Sequence, residues 1–166
     1  MAAVLAALPA HAQGTSAKGV YAGIGYARVH SGNADLDAIQ GRLGYRFGPW
    51  VGVEAEAAAG LGSDAVADVV KYKLKHQESL YGVAFLPLTP KLDVFGRVGY
   101  GYTRTKFSVL DTGFSNTFGR ESWNFGGGAQ YFVDGKNGLR ADYTRQEFIG
   151  GDADADIWSI GYARRF

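Results

Sequence analysis

From Gly19 onward the chain repeats one theme eight times: a segment of about ten residues that alternates apolar and polar side chains, closed by Gly, Asp, Asn or Pro. The segments are Val20–Val29, Ile39–Phe47, Trp50–Leu61, Lys73–Leu86, Leu92–Thr105, Arg120–Val133, Leu139–Phe148 and Asp156–Phe166. In the second, Ile39, Leu43, Tyr45 and Phe47 share one face while Gln40, Arg42 and Arg46 share the other. The third sets Val51, Val53, Ala55, Ala57 and Leu61 against Glu54 and Glu56. The sixth sets Trp123, Phe125, Ala129, Tyr131 and Val133 against Arg120, Asn124 and Gln130. A helix would scramble these sets, because its side chains repeat every 3.6 residues rather than every two. The pattern therefore predicts strands throughout. In the fourth segment, the least regular, Tyr81, Val83 and Phe85 are expected to face outward with the apolar set. So many strands with 25 glycines among them point to an all-β sheet closed on itself, which leaves no edge exposed.

The connections also alternate. Gly48-Pro49, Leu88-Thr89-Pro90-Lys91 and Asp134-Gly135-Lys136-Asn137-Gly138 read as tight turns. The segments Ser31 to Asp37, Gly62 to Val70, Phe107 to Phe118 and Gly150 to Ala155 read as longer loops. Three turns and four loops join eight strands and leave both ends of the sheet on the turn side. Such alternation of short and long connections is typical of barrels that cross a membrane.

A soluble barrel turns its apolar face inward, and a membrane barrel turns it out to lipid. The second face of these strands carries Arg42, Arg46, Glu54, Glu56, Arg97, Arg140 and Asp142 in mid-strand, interleaved with Gly44, Gly52, Gly99, Gly126, Gly128 and Gly161. Oppositely charged side chains, with glycines making room for them, can fill a narrow lumen by pairing, so the membrane reading is preferred. No apolar run approaches the roughly 20 residues of a membrane-spanning helix. The 17 basic and 16 acidic residues nearly cancel, giving no global charge to recruit a nucleic acid. With no cysteine, disulfides, thiolate metal sites and cysteine nucleophiles are excluded.

The start of the chain reads as an export signal. An Ala/Leu/Val run over residues 1–8 is followed by Pro9 and by Ala10-His11-Ala12, a small-x-small cleavage pattern. Residues 1–12 are assigned to the signal, which lacks a basic stretch and so reads as truncated at its start; residues 13–18 form a short lead-in, and residues 19–166 the barrel.

In the last segment Trp158, Ile160, Tyr162 and the terminal Phe166 lie on one face, with Arg164 interrupting an otherwise apolar row. This row, together with residues 41–47 (GRLGYRF), 51–56 (VGVEAE) and 92–100 (LDVFGRVGY), resembles the small porin-like proteins of the outer-membrane β-barrel domain family, related to the OmpA transmembrane domain. The resemblance covers Gly19 to Phe166. It implies an eight-stranded antiparallel up-and-down transmembrane barrel in the bacterial outer membrane, with both mature ends in the periplasm. It implies outer-membrane lipid and lipopolysaccharide as surroundings, and periplasmic chaperones and the barrel-assembly machinery as partners. That machinery would read Trp158, Ile160, Tyr162 and Phe166. A monomer with a structural or porin-like role follows; a surface lipid-modifying enzyme or an adhesin on the same barrel is the alternative, since a fold does not fix a function.

Catalytic chemistry is sparse. Beyond the signal only His30 and His76 remain, and a Ser-His-acid triad would have to be assembled on the rim from residues such as Ser31. Residues 152–156 (DADAD) lack the Gly and distal Glu of a calcium loop, and Gly126-Gly127-Gly128 lacks the lysine of a phosphate loop. No catalytic, cofactor or metal site is expected. Lys71, Lys73, Lys75, Arg104, Lys106 and Arg120 gather near the loop-side ends of three strands, where lipopolysaccharide phosphates would lie. Asp35, Asp37, Asp64, Asp68, Asp111, Asp152, Asp154 and Asp156 make the loops acidic.

Overall fold

A computed structural model describes residues 18–32, 34–61, 64–66, 70–109, 115–150 and 154–166. These form nine strands: β1 (Gly19–Ser31), β2 (Ala34–Arg46), β3 (Val51–Gly60), β4 (Asp64–Val66), β5 (Val70–Pro87), β6 (Leu92–Val109), β7 (Ser115–Phe132), β8 (Asn137–Phe148) and β9 (Asp154–Arg165). Sequential neighbours pair antiparallel, β1 pairs with β9, and β3 skips β4 to pair with β5 from Val51↔Ala84 to Ala58↔Gln77. Eight strands thus close an up-and-down barrel, and β4 is a short strand that, among the described residues, pairs with the loop-side end of β5. The proposed signal and most of the lead-in, residues 1–17, lie outside the described residues.

The three tight turns fall where the glycines and prolines place them, at residues 47–50, 88–91 and 133–136. At the last, Gly135 takes a φ of 81°, which a Cβ would penalise. The Asp134 carboxylate closes the turn by accepting from the Lys136 and Asn137 amides at 2.9 and 2.5 Å. The first strand begins and the last ends on this turn side, where the Phe166 amide donates to Val20 at 2.9 Å.

The outer surface carries an apolar band: Ile24, Leu43, Val53, Leu80, Val98, Phe125, Leu139 and Ile160 are all exposed. It is flanked by Phe47, Trp50, Tyr131, Tyr162 and Phe166 on the turn side and by Tyr26, Tyr100, Trp123 and Trp158 toward the loops. Two rings of aromatic residues bounding an apolar band match a wall built to meet lipid between two interfaces.

Three expectations need correction. Residues 34–37 are strand rather than loop, as β1 and β2 pair out to Ser31↔Ala34 across a short turn at Gly32, which has a φ of 59°. Near this end the polarity pattern inverts: Ala27, Val29, Ala38, Ala155 and Ile157 pack inside, while Arg28, His30, Asp35 and Asp37 point outward. Above the apolar band the outer face meets water, so charged residues belong on it and a strand reads as a loop. β6 and β7 likewise extend into the expected loop, to Val109 and from Ser115, and β9 starts at Asp154.

The second correction concerns β5. Tyr81, Val83 and Phe85 are buried in the lumen, not outward. Tyr81 stands opposite Glu54 on β3 and Gly99 on β6, so register fixes its face. The other face of β5 offers Leu80, Gly82, Ala84 and Leu86, leaving the strand apolar on both sides and its alternation uninformative. The third correction is what the glycines make room for. A Cβ at Gly44 would come 2.5 Å from the Tyr21 hydroxyl, and one at Gly99 2.5 Å from a Tyr81 ring carbon. These two glycines accommodate aromatic rings inside the barrel rather than the charges.

Candidate functional site: the charged lumen

The inward positions of β2, β3, β6 and β8 bring Arg42, Glu54, Glu56, Arg97, Arg140 and Asp142 into one cluster, balanced at three positive and three negative charges. Arg140 grips Glu54 with both terminal nitrogens, at 2.6 and 3.1 Å, and its Nε reaches Asp142 at 3.2 Å. Arg97 donates to Glu54 at 2.9 Å, to Glu56 at 2.8 Å, to Asp142 at 2.9 Å and to the Thr144 hydroxyl at 2.6 Å. From the other side Arg42 reaches Glu56 at 2.6 Å, Asp142 at 2.8 Å and Ser159 at 3.0 Å. Tyr21 donates to Glu54 at 3.0 Å. Arg97 lies over the Tyr81 ring at 4.3 Å and Arg140 over Phe95 at 4.0 Å, so aromatic faces cover what the carboxylates leave open.

Arg46 does not join this cluster. It lies nearer the turns, donating to Asp93 at 2.7 Å and to the Pro49 carbonyl at 2.7 Å, with Phe85 stacked at 4.0 Å. Arg165 also bonds Asp93, and Gln130 donates to it at 2.9 Å. Sequence reasoning missed Asp93 and Arg165. Asp93 carried a usable signal, since it lies two and four residues before the inward Phe95 and Arg97 on the same strand face. Tyr21, Tyr81, Val83, Phe85 and Phe95 pack as one cluster beside these charges.

Toward the loops the lumen becomes neutral. Asn124 donates to Ser79 and Tyr81, each at 3.1 Å, and Gln146 to Thr103 and Ser122 at 3.0 and 2.8 Å. Ala27, Val29, Ala38, Ala58, Ala155 and Ile157 then pack together beyond this layer.

The remaining candidates are scattered. His30 Nδ1 lies 2.6 Å from Asp35, but the Ser31 hydroxyl donates to the Asp154 carbonyl at 2.8 Å, so these residues do not form a nucleophile-base pair. His76 stands opposite Arg104 beside an irregularity in the β5–β6 register. Register sets Lys73 opposite Lys106 and Lys71 opposite Ser108, and Lys75 and Arg104 are exposed. Arg120 pairs with the lumen-facing Thr103, so it lies on the other face of the wall from Arg104. Asp68, Asp111 and Asp152 fall outside the described residues. Trp158, Ile160, Tyr162 and Phe166 all point outward on β9 and at its end.

Solved barrels of similar shape are small outer-membrane proteins. Ail, the attachment invasion locus protein of Yersinia pestis, superposes with a TM-score of 0.65 at 19% identity over 90% of this chain and 97% of its own. OprG of Pseudomonas aeruginosa gives 0.68 at 13% identity over 93% and 98%. The N-terminal barrel of Pseudomonas aeruginosa OprF gives 0.62 at 14% identity over 88% and 98%. At these identities the likeness is one of fold. Among curated protein sequences, none matches. The model of the outer membrane protein beta-barrel domain matches residues 1–166, and the chain belongs to that family.

Proposed function

We propose that this is a structural, porin-like barrel of the bacterial outer membrane, a monomer with both ends in the periplasm and a lumen plugged by its own side chains. The observation that carries the reading is the balanced cluster of Arg42, Arg97 and Arg140 with Glu54, Glu56 and Asp142, whose side chains are 7% exposed or less. Eight strands enclose an interior about wide enough for side chains to fill. A path for solute through this level would have to separate guanidiniums from carboxylates, stranding buried charge at several kcal/mol each. The wall, not the interior, then does the work: it spans the bilayer and presents charged strand ends outside it. Lys71, Lys73, Lys75, Arg104 and Lys106 are the cations we assign to lipopolysaccharide phosphate, and Trp158, Ile160, Tyr162 and Phe166 the row we assign to the assembly machinery. No catalytic step is proposed.

Efflux of a small sugar from liposomes holding the folded protein tests the plug. Liposomes with and without protein should retain the sugar equally, and rapid size-selective efflux would overturn the reading.

An adhesin on the same barrel is the second reading. Above the loop-side aromatics the outer face of β2, β1, β9 and β8 carries Asp35, Arg28, His30, Asp156 and Arg145, joined by pairs such as Arg145–Asp156 at 3.1 Å. A charged wall standing clear of lipid offers polar contacts to a surface partner. Charge reversal at Arg28 and Arg145 should weaken attachment to host cells if this reading holds.

A further inference from the structure

Arg164 breaks the outward apolar row of β9, and neither the plug nor the assembly row accounts for it. Its side chain is exposed on the outer face, with the guanidinium 5.3 Å from the centre of the Phe166 ring. Its cross-strand neighbours are Ala22 on β1 and Asn137 on β8, neither of them charged. Lys136 lies in the adjoining turn, one residue before the Asn137 that pairs with Arg164; its carbonyl accepts from the Arg165 amide at 2.8 Å, and it is exposed. Among the described residues neither cation forms an ion pair. The one carboxylate in the adjoining turn, Asp134, has both oxygens engaged by Lys136 and Asn137.

Arg164 on the wall, at the level of Tyr131, Tyr162 and Phe166, and exposed Lys136 in the adjoining turn stand at the boundary between apolar band and water, where a lipid headgroup carries its phosphate. A guanidinium presents a fork of donors that matches two phosphate oxygens, and a nearby ammonium adds a second charge. The aromatic ring of Phe166 beside Arg164 supplies an apolar surface for the adjoining glycerol and acyl chain. We propose that Arg164 and Lys136 form a binding site for the phosphate of an anionic glycerophospholipid on the turn side of the barrel. This rests on the membrane-spanning reading above and extends it from a general lipid wall to one defined headgroup contact. It also accounts for a charge in a row otherwise kept apolar.

The test uses the full barrel folded into phosphatidylcholine vesicles with a minor fraction of phosphatidylglycerol. Lipids retained on extraction are counted by native mass spectrometry, and heat-modifiable gel mobility confirms folding. Wild type should retain phosphatidylglycerol several-fold over its share in the vesicle. Combining Arg164→Leu with Lys136→Gln should reduce that enrichment several-fold, whereas Lys91→Gln, a turn-side cation whose ammonium is already held by the Val133 carbonyl at 2.8 Å, should leave it in place. Arg164→Gln, closer in shape to arginine, gives the same direction of loss should the double variant fail to insert. A folded wild-type barrel without enrichment, or an Arg164 variant that keeps it, overturns the site while leaving the barrel intact. A chain that never reaches a heat-modifiable, inserted form overturns the membrane reading and the site with it.

Discussion

Arg140 and Glu54, 86 positions apart in sequence, face each other across the lumen as a two-pronged pair, Nη1 to Oε2 at 2.6 Å and Nη2 to Oε1 at 3.1 Å. The same carboxylate accepts from Arg97 at 2.9 Å and from Tyr21 at 3.0 Å, so Glu54 is where β1, β3, β6 and β8 are tied together.

Neutralising Glu54 is therefore expected to cost more than the loss of one bond. Glu54→Gln leaves Arg140 and Arg97 facing an amide, and breaking a buried pair in this way costs about 3–5 kcal/mol. Urea unfolding of the folded barrel in lipid vesicles checks it. Tyr21→Phe, which removes one hydroxyl from the same carboxylate, should cost only about 1 kcal/mol.

The glycines of β2 make a second comparison within one strand. Gly44→Ala drives a methyl group toward the Tyr21 ring and should destabilise the barrel by about 1–3 kcal/mol, as overpacking does. A Cβ at Gly41, on the outer face, meets nothing within 4 Å, so Gly41→Ala should be nearly neutral. The same unfolding assay separates them, and equal effects would contradict the account of Tyr21 and Gly44.

Much of this was legible in the sequence wherever one face was apolar and the other charged. Ile39 to Phe47 and Val51 to Ala57 gave unambiguous faces, placing Arg42, Glu54 and Glu56 inward. Legibility failed at Tyr81, Val83 and Phe85, where both faces of the strand are apolar and only pairing with Glu54 and Gly99 reveals which is inward. It failed again at Asp35 and Asp37, because alternation inverts once the outer face leaves lipid. Which arginine meets which carboxylate was not legible at all: the pairing of Arg46 with Asp93 depends on stagger between β2 and β6, which no local pattern encodes.

The turn at Asp134 offers a pH observable outside the membrane. Amide and side-chain donors from Asn137, with the Lys136 amide, hold the Asp134 carboxyl down at about 2. A lowered folded value means that the turn's contribution is complete above the ordinary aspartate value of about 3.9 and is lost as pH falls through about 2. A carboxyl carbon-13 titration of the folded barrel should place Asp134 near the lower limit, and a midpoint near 4 would contradict the capping geometry.

Deleting Phe166 should slow assembly in cells far more than it destabilises the finished barrel. Its ring is 70% exposed on the outer face, so it contributes little to internal packing. Pulse-chase appearance of the heat-modifiable form measures the rate, and unchanged assembly would count against the terminal row as a recognition element.

The plug is tested most directly by current through the unmodified protein folded into a planar bilayer. On the plugged reading, Arg42, Arg97 and Arg140 stay locked to Glu54, Glu56 and Asp142, which predicts a bilayer that stays at baseline apart from brief, rare openings. Combining Glu54→Gln with Glu56→Gln should make openings more frequent as the lumen hydrates. A large, steady conductance from the wild-type barrel would contradict the plug and make the protein an open porin.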